Sequence, residues 1–170
     1  MLFRSAIDRT LKAVDKYATE IAKRGVQKVR FCATSATRDA TNRDIFIKGV
    51  SERLGIEPEV IPGVEEASLS FLGATFALSR NLAPYLVVDI GGGSTEFIIG
   101  KGYEPKLLES LYIGCVSHSM RFFPKGNIDA HEFKEAELAA RREIQVIAGA
   151  YLSSGWKQAI GSSEIGRAHV

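Results

Sequence analysis

The sequence predicts an α/β protein made of parts of two domains, and three observations carry that prediction. Strand-like and helix-like segments alternate over the first half, the signature of a parallel α/β layer. Three strand-like segments then follow one another with only tight turns between them. Asn-Leu-Ala-Pro at residues 81–84 separates the two patterns and reads as a linker.

The elements follow in order. Phe3, Ile7, Leu11, Val14, Ala18 and Ile21 recur at steps of three and four, giving one apolar face of a helix that runs to Arg24 and stops at Gly25. Residues 26–34, with Val26, Val29, Phe31 and Cys32, read as a strand, followed by the polar segment 34–39. A second helix is expected over 42–54 with Gly55 as its stop, then a short strand at 59–61, a Pro62-Gly63 turn and a third helix over 65–78. Beyond the linker, residues 85–90, 95–100 and 105–113 form an antiparallel meander. Residues 114–123 read as a short helix ended by Pro124 and Gly126. Asp129 caps a long helix, with Glu132 in the capping-box position, and Phe133, Ala136, Ala140, Ile144, Ile147 and Tyr151 give it a face to bury. Trp156, expected in the core, opens a last strand over 156–160 that reaches Gly161-Ser162-Ser163.

A meander followed by a helix and a strand is how a ribonuclease-H-like fold begins, whereas the first half has the order in which such a fold ends. The expected organisation is therefore the C-terminal part of a first domain over 1–83 and the N-terminal part of a second over 84–163, both incomplete. Residues 164–170, Glu-Ile-Gly-Arg-Ala-His-Val, have no packing pattern and read as a non-native, adaptor-derived tail, so His169 is not expected to be a ligand.

Composition narrows the partners. With 45% hydrophobic residues over 170, the chain has enough apolar material for a packed core and is not a disordered polymer. Twenty-two basic against 20 acidic residues leave a net charge of +2, which gives no support for a nucleic-acid polymer or a membrane surface as partner. Any anion site is therefore local. Cys32 and Cys115 lie far apart without metal-ligand spacing, and a reducing cytoplasm is the expected location. No apolar run approaches the ~18 residues of a membrane span, and no signal-peptide core precedes a cleavage site.

The stretch Asp89-Ile90-Gly91-Gly92-Gly93-Ser94-Thr95-Glu96 carries the strongest chemical signal. Glycines free of Cβ atoms can take positive φ and turn a row of N–H groups toward phosphate oxygens. Asp89 closes one strand and Glu96 lies on the next; such carboxylates would repel a bare phosphate, and make sense if they hold a divalent cation or a water against it. The plain alternative is a glycine-rich hairpin with acidic neighbours. Glu65 and Glu66 stand about 100° apart at a helix start, so they do not both face one site, and they can equally serve the helix dipole. Arg38 follows a strand in a Thr/Ser-rich turn, where its guanidinium could grip phosphate or pair with Asp39 or Asp44. His118 and His131 lack a partner at ligand spacing, and Cys115 reads as a packed small residue at a helix start.

Taken with Ala33-Thr34-Ser35-Ala36-Thr37-Arg38-Asp39-Ala40, Pro62-Gly63-Val64-Glu65-Glu66-Ala67, Gly114-Cys115-Val116 and Gly161-Ser162-Ser163, the glycine turn resembles the exopolyphosphatase and guanosine pentaphosphate phosphohydrolase family. That family belongs to the actin, sugar kinase and Hsp70 ATPase superfamily, and the resemblance covers residues 5–163 in order. It implies two ribonuclease-H-like, actin-like ATPase domains facing each other across a cleft, here the back of one and the front of the other. Two family features are absent: a first Asp-x-Gly-Ser-Asn-Ser phosphate loop, and the Gly-Thr that should follow Ser163.

The resemblance further implies a phosphohydrolase that releases terminal phosphate from inorganic polyphosphate or guanosine pentaphosphate. Glu66 would direct the attacking water as the catalytic base. Asp89 and Glu96 would hold Mg²⁺ or another divalent cation, while Arg38, Gly91, Gly92, Gly93 and Ser94 would bind phosphate. An ATP-using kinase or ATPase of the superfamily, and a non-catalytic fragment that does not act alone, are the competing readings. A homodimer of the full-length protein is compatible with the resemblance, and the 170-residue piece by itself is expected to be inactive.

Overall fold

A computed structural model of the chain describes residues 4–76 and 83–163. Phe3, the expected helix end at 77–78, linker residues 81–82 and the tail 164–170 lie outside the described residues. Contacts divide the chain into two units, Met1–Pro62 and Gly63–Val170. The sequence-based division falls later, after residue 83. The difference is the third helix, whose Ala67 and Phe71 are buried with Tyr85, Val87 and Ile98 of the second sheet.

In the first unit, helix α1 (Arg4–Lys23) lies on α3 (Arg43–Leu54), with the four-residue α2 (Ser35–Arg38) between them in sequence. The stripe read from the sequence supplies Ile7, Leu11 and Val14 to a core completed by Ala33, Phe46 and Val50. Gly49 allows the helices to approach: a Cβ there would come within 2.7 Å of Leu11 Cδ1. Gly25 and Gly55 end α1 and α3 with φ of +62° and +68°, in the left-handed region that favours glycine. The strand expected over 26–34 contracts to β1 (Cys32–Ala33), parallel to β2 (Glu59–Val60). Val26 is exposed, and among the described residues β1 pairs on one side only, so neither burial nor a ladder extends it. Arg30 donates from Nε and Nη2 to Glu59 Oε2 at 2.9 and 2.6 Å and holds the Glu59 carboxyl below the usual carboxylate range.

The second unit is a four-stranded sheet in the order β5-β4-β3-β6. Strands β3 (Pro84–Ile90), β4 (Thr95–Lys101) and β5 (Glu104–Leu111) form the expected antiparallel meander. Strand β6 (Gln158–Ser163) returns parallel to β3 after the helices α5 (Cys115–Phe122) and α6 (Ala130–Ser154). Helix α4 (Gly63–Phe76) covers one face through Ala67 and Phe71, which meet Tyr85, Val87, Ile98, Leu108 and Ile160. The opposite face carries Ile99, Leu111, Leu86 and Phe97 against Ile147 and Tyr151 of α6. Tyr151 donates its hydroxyl to the Phe97 carbonyl at 2.7 Å, and burial pushes its phenol pKa up. Asp129 accepts from Glu132 N at 2.7 Å, so the expected N-cap forms.

Two core assignments differ from the sequence reading. Phe133 is 59% and Ile144 38% exposed, so only Ile147 and Tyr151 of the expected α6 face are buried. Trp156 is 38% exposed, because β6 begins two residues later and Trp156 stands ahead of the sheet.

Phe71 is fully buried, and its ring occupies the space left by the missing side chain of Gly100, where a Cβ would also come within 2.6 Å of the Glu104 carbonyl oxygen. Phe71→Ala is expected to destabilise the chain by about 3–5 kcal/mol, measured by urea unfolding, because the sheet bulge at Gly100 cannot close the cavity. A loss below about 1 kcal/mol would show that α4 does not cover this face in solution.

Candidate active site

Register builds the site. In the antiparallel β3–β4 pair Val87 lies opposite Ile98 and Asp89 opposite Glu96, while β4–β5 sets Glu96 beside Ser110 and β3–β6 sets Asp89 beside Ser162. Cross-strand partners share a face, so both carboxylates lie on the α4 face, one step beyond the apolar row that α4 covers. Glu96 is buried to 1% exposure and accepts from Ser110 Oγ at 2.8 Å. Asp89 is partly buried and accepts from Ser70 Oγ through Oδ2. Neither serine was singled out in the sequence; both bonds join elements distant in sequence and leave no local pattern.

Ser70 of α4 meets the Asp89 row, and Phe71 lies at Gly100 near the far end of the sheet. The first turn of α4 carries Glu65 and Glu66. Glu66 lies four residues before Ser70, about 6 Å along the axis on the same side of the helix. Both glutamates are partly buried.

The turn at residues 91–94 does not use positive φ: the described glycines that do are Gly25, Gly55, Gly102, Gly126 and Gly155. The expectation of left-handed glycines is thus corrected. The carbonyl of Gly91 accepts from Cys115 N at 3.0 Å, that of Gly92 accepts from Val116 N and Ser117 N at 3.0 Å, and Ser117 Oγ donates to the Gly93 carbonyl at 3.4 Å. The first turn of α5 thereby spends its N–H groups on the glycine turn. Because N–H and C=O of a trans peptide point in opposite directions, carbonyls aimed at α5 turn the N–H groups of Gly92, Gly93 and Ser94 to the other side. Among the described residues those three have no hydrogen-bond partner, whereas Gly91 N donates to the Ser94 carbonyl at 2.9 Å. Ser94 is itself buried. A Cβ on Gly114 would overlap the Gly92 carbonyl group, so Gly114 is what allows the approach.

Arg38 belongs to the first unit. It ends α2, and Nη1 donates to the Ile61 carbonyl at 2.7 Å. Arg38 also lines, with Arg43, Asp44, Ile47 and Pro62, an open depression of that unit. Cys115 is the first residue of α5 and partly buried.

Asp89 and Glu96 form a two-carboxylate set; among the described residues no group of three or more His, Cys, Asp or Glu gathers at one point. Two hard oxygen donors suit a cation that keeps most of its water shell and takes further ligands from phosphate, which is the preference of Mg²⁺. They do not make an all-protein cage. Among the described residues, no helix is long and apolar enough to cross a membrane.

A meander whose first turn sets a glycine run between two paired carboxylates, followed by helices and a parallel strand, defines an α/β protein. The chain belongs to the Ppx/GppA phosphatase family, whose family model matches residues 1–170. It is 37% identical over 162 residues to the guanosine-5'-triphosphate,3'-diphosphate pyrophosphatase of Photobacterium profundum, covering 95% of this chain and 32% of that protein. Among solved structures, an exopolyphosphatase-like protein superposes with a TM-score of 0.87 at 38% identity, over 94% of this chain and 51% of the other. An exopolyphosphatase from Cytophaga hutchinsonii superposes with a TM-score of 0.84 at 27% identity, over 95% and 52%. The chain thus spans about a third of the curated relative and about half of the solved ones.

Two predictions follow from the loop and its helix. Gly114→Ala should displace the turn, seen as large amide shifts at Gly92, Gly93 and Ser94 in nitrogen-edited NMR spectra; unchanged shifts would show that α5 does not seat it. His118 of α5 has a buried Nε2 without a partner among the described residues. Burial first, then the Arg121 charge, push its imidazole below the ordinary value against the opposing effect of Glu143. The unfolded chain therefore takes up this proton first, and stability present near neutrality declines as pH falls below about 6.5. His118→Leu should flatten the fall in melting temperature between about pH 7.5 and 5 relative to the parent chain.

Proposed function

We propose that this chain supplies the glycine phosphate loop, cation-holding carboxylates and water-directing glutamate of a phosphohydrolase. The enzyme would release terminal phosphate from inorganic polyphosphate or the 5′-terminal phosphate of guanosine pentaphosphate. The observation that carries the reading is the in-register Asp89–Glu96 pair at the mouth of a turn whose three outward N–H groups are unpartnered. The family and the activities for which its relatives are named support the hydrolase class.

In the proposed reaction, the N–H groups of Gly92, Gly93 and Ser94 bind the oxygens of a phosphoryl group. Gly91 shapes the turn through its bond to the Ser94 carbonyl. Glu66, one helix turn before Ser70, orients a water and accepts its proton as the water attacks phosphorus. The phosphorus–oxygen anhydride bond breaks, and the electron pair leaves with the remaining phosphate chain. Asp89 and Glu96 would hold Mg²⁺, which when bound compensates the charge of the phosphate chain. Arg38 is assigned to phosphate binding by residue type and by the resemblance of the segment around it. Phosphoryl transfer depends on positioning and charge compensation more than on covalent chemistry, which matches this set of groups.

The test is phosphate release with Mg²⁺ from polyphosphate, guanosine pentaphosphate and ATP, measured on the chain and on a version extended at both ends to the length of its relatives. Glu66→Gln in the active form should lower kcat by about 10²–10⁴-fold with its melting temperature preserved. Full activity of Glu66→Gln would remove the proposed base, and turnover of ATP alone would replace the hydrolase reading by the ATPase one.

A further inference from the structure

The carboxylate pair is braced by a residue of the helix that carries the proposed base. Hydroxyls inside the helices of this chain mostly bond back to their own helix: Thr10 to the Ala6 carbonyl, Thr19 to Asp15, Ser51 to Ile47 and Thr75 to Phe71. That is the ordinary fate of a helical serine or threonine. Ser70 departs from it and donates to Oδ2 of Asp89 on the sheet.

Its position makes the bond consequential. Around it α4 packs on the sheet through the apolar Ala67, Phe71 and the partly buried Ala74. Phe71 seats in the gap at Gly100, and at the Asp89 row the hydrogen bond from Ser70 adds a contact that is both directional and charge-assisted. Ser70 therefore adds a polar tie between α4 and β3 at Asp89, and Glu66 lies one turn away on the same side of the helix. The bond also takes one lone-pair site of Oδ2 and leaves Oδ1 to other donors. Like charges directly opposite in a ladder repel, and Ser70 and Ser110 supply one donor to each member of the pair.

Resting on the function proposed above, we propose that Ser70 is a positioning residue: its hydroxyl fixes the Asp89 carboxylate for the cation and ties the place of Glu66 to it. Ser70 touches neither substrate nor the attacking water in this scheme. Its removal should therefore affect turnover and cation binding while leaving KM for polyphosphate nearly unchanged.

Ser70→Ala, Ser70→Thr and Glu66→Gln are compared in two measurements. Mn²⁺ binding to the chain is followed by electron paramagnetic resonance in the presence of inorganic phosphate, and kcat and KM for polyphosphate are measured on the active form. Loss of one hydrogen bond to a charged group predicts that Ser70→Ala lowers kcat about 10–100-fold and weakens Mn²⁺ binding severalfold, with KM within about twofold. Ser70→Thr, which keeps the hydroxyl, should recover most of both. The proposal is overturned if Ser70→Ala matches the parent in kcat and Mn²⁺ affinity, or if Thr and Ala are equally impaired, since packing alone would then matter. Failure of the underlying reading looks different: Glu66→Gln stays active, or the parent chain binds no Mn²⁺.

Discussion

The site depends on one register, the pairing that sets Asp89 opposite Glu96. Two faces enforce it. Val87 and Ile98 face α4, while Leu86, Phe97 and Ile99 face α6, so a slip by one residue would exchange the two sets. The slip would also carry a carboxylate toward Ile147 and Tyr151, where it would be buried without a donor. Sorting of apolar side chains on both faces of the sheet thus compels two like charges to stand side by side. Local electrostatics oppose the arrangement, and the hydrophobic pattern overrides them.

The glycine turn follows from the same economy of polar groups. The first turn of a helix has N–H groups without intrahelical acceptors, and α5 satisfies its own on the carbonyls of Gly91 and Gly92. One set of hydrogen bonds accordingly does two things: it caps α5 and turns the loop N–H groups away from it. The N-terminus of α5 is consumed as an anchor and is not itself an anion site. Shape control lies partly outside the motif, at Gly114, because any side chain there would overlap the Gly92 carbonyl group.

Legibility in the sequence followed the range of the interactions. Helix stops at Gly25 and Gly55, the Asp129 cap and the three meander strands are local, and all were readable. Strand β1 was overextended, because Val26 and Val29 have β propensity while strand length is decided by a neighbour to pair with. The α6 stripe was periodic along its length, yet only Ile147 and Tyr151 are buried, since periodicity reports a face and not what covers it. At the site, residue types and spacing pointed to the acidic pair and the glycine run. The positive φ expected of the glycine run is absent, because peptide direction and not left-handed backbone turns its N–H groups outward, and the close approach falls on Gly114. Ser70 and Ser110 were invisible because each bond spans 19 or 14 residues between different elements.

A two-carboxylate set has a consequence for how such a site would work. With no third acidic or imidazole ligand gathered among the described residues, the protein alone offers a hard cation few oxygens. Phosphate oxygens seated on the Gly92, Gly93 and Ser94 amides would supply the rest, so loop and cation would each raise the affinity of the other. Such a site gains its full charge compensation only when a phosphoryl group is in place. The carboxylates then have to be held ready without the cation, against their mutual repulsion. That requirement gives the two serine hydroxyls, one from α4 and one from β5, a reason to be where they are.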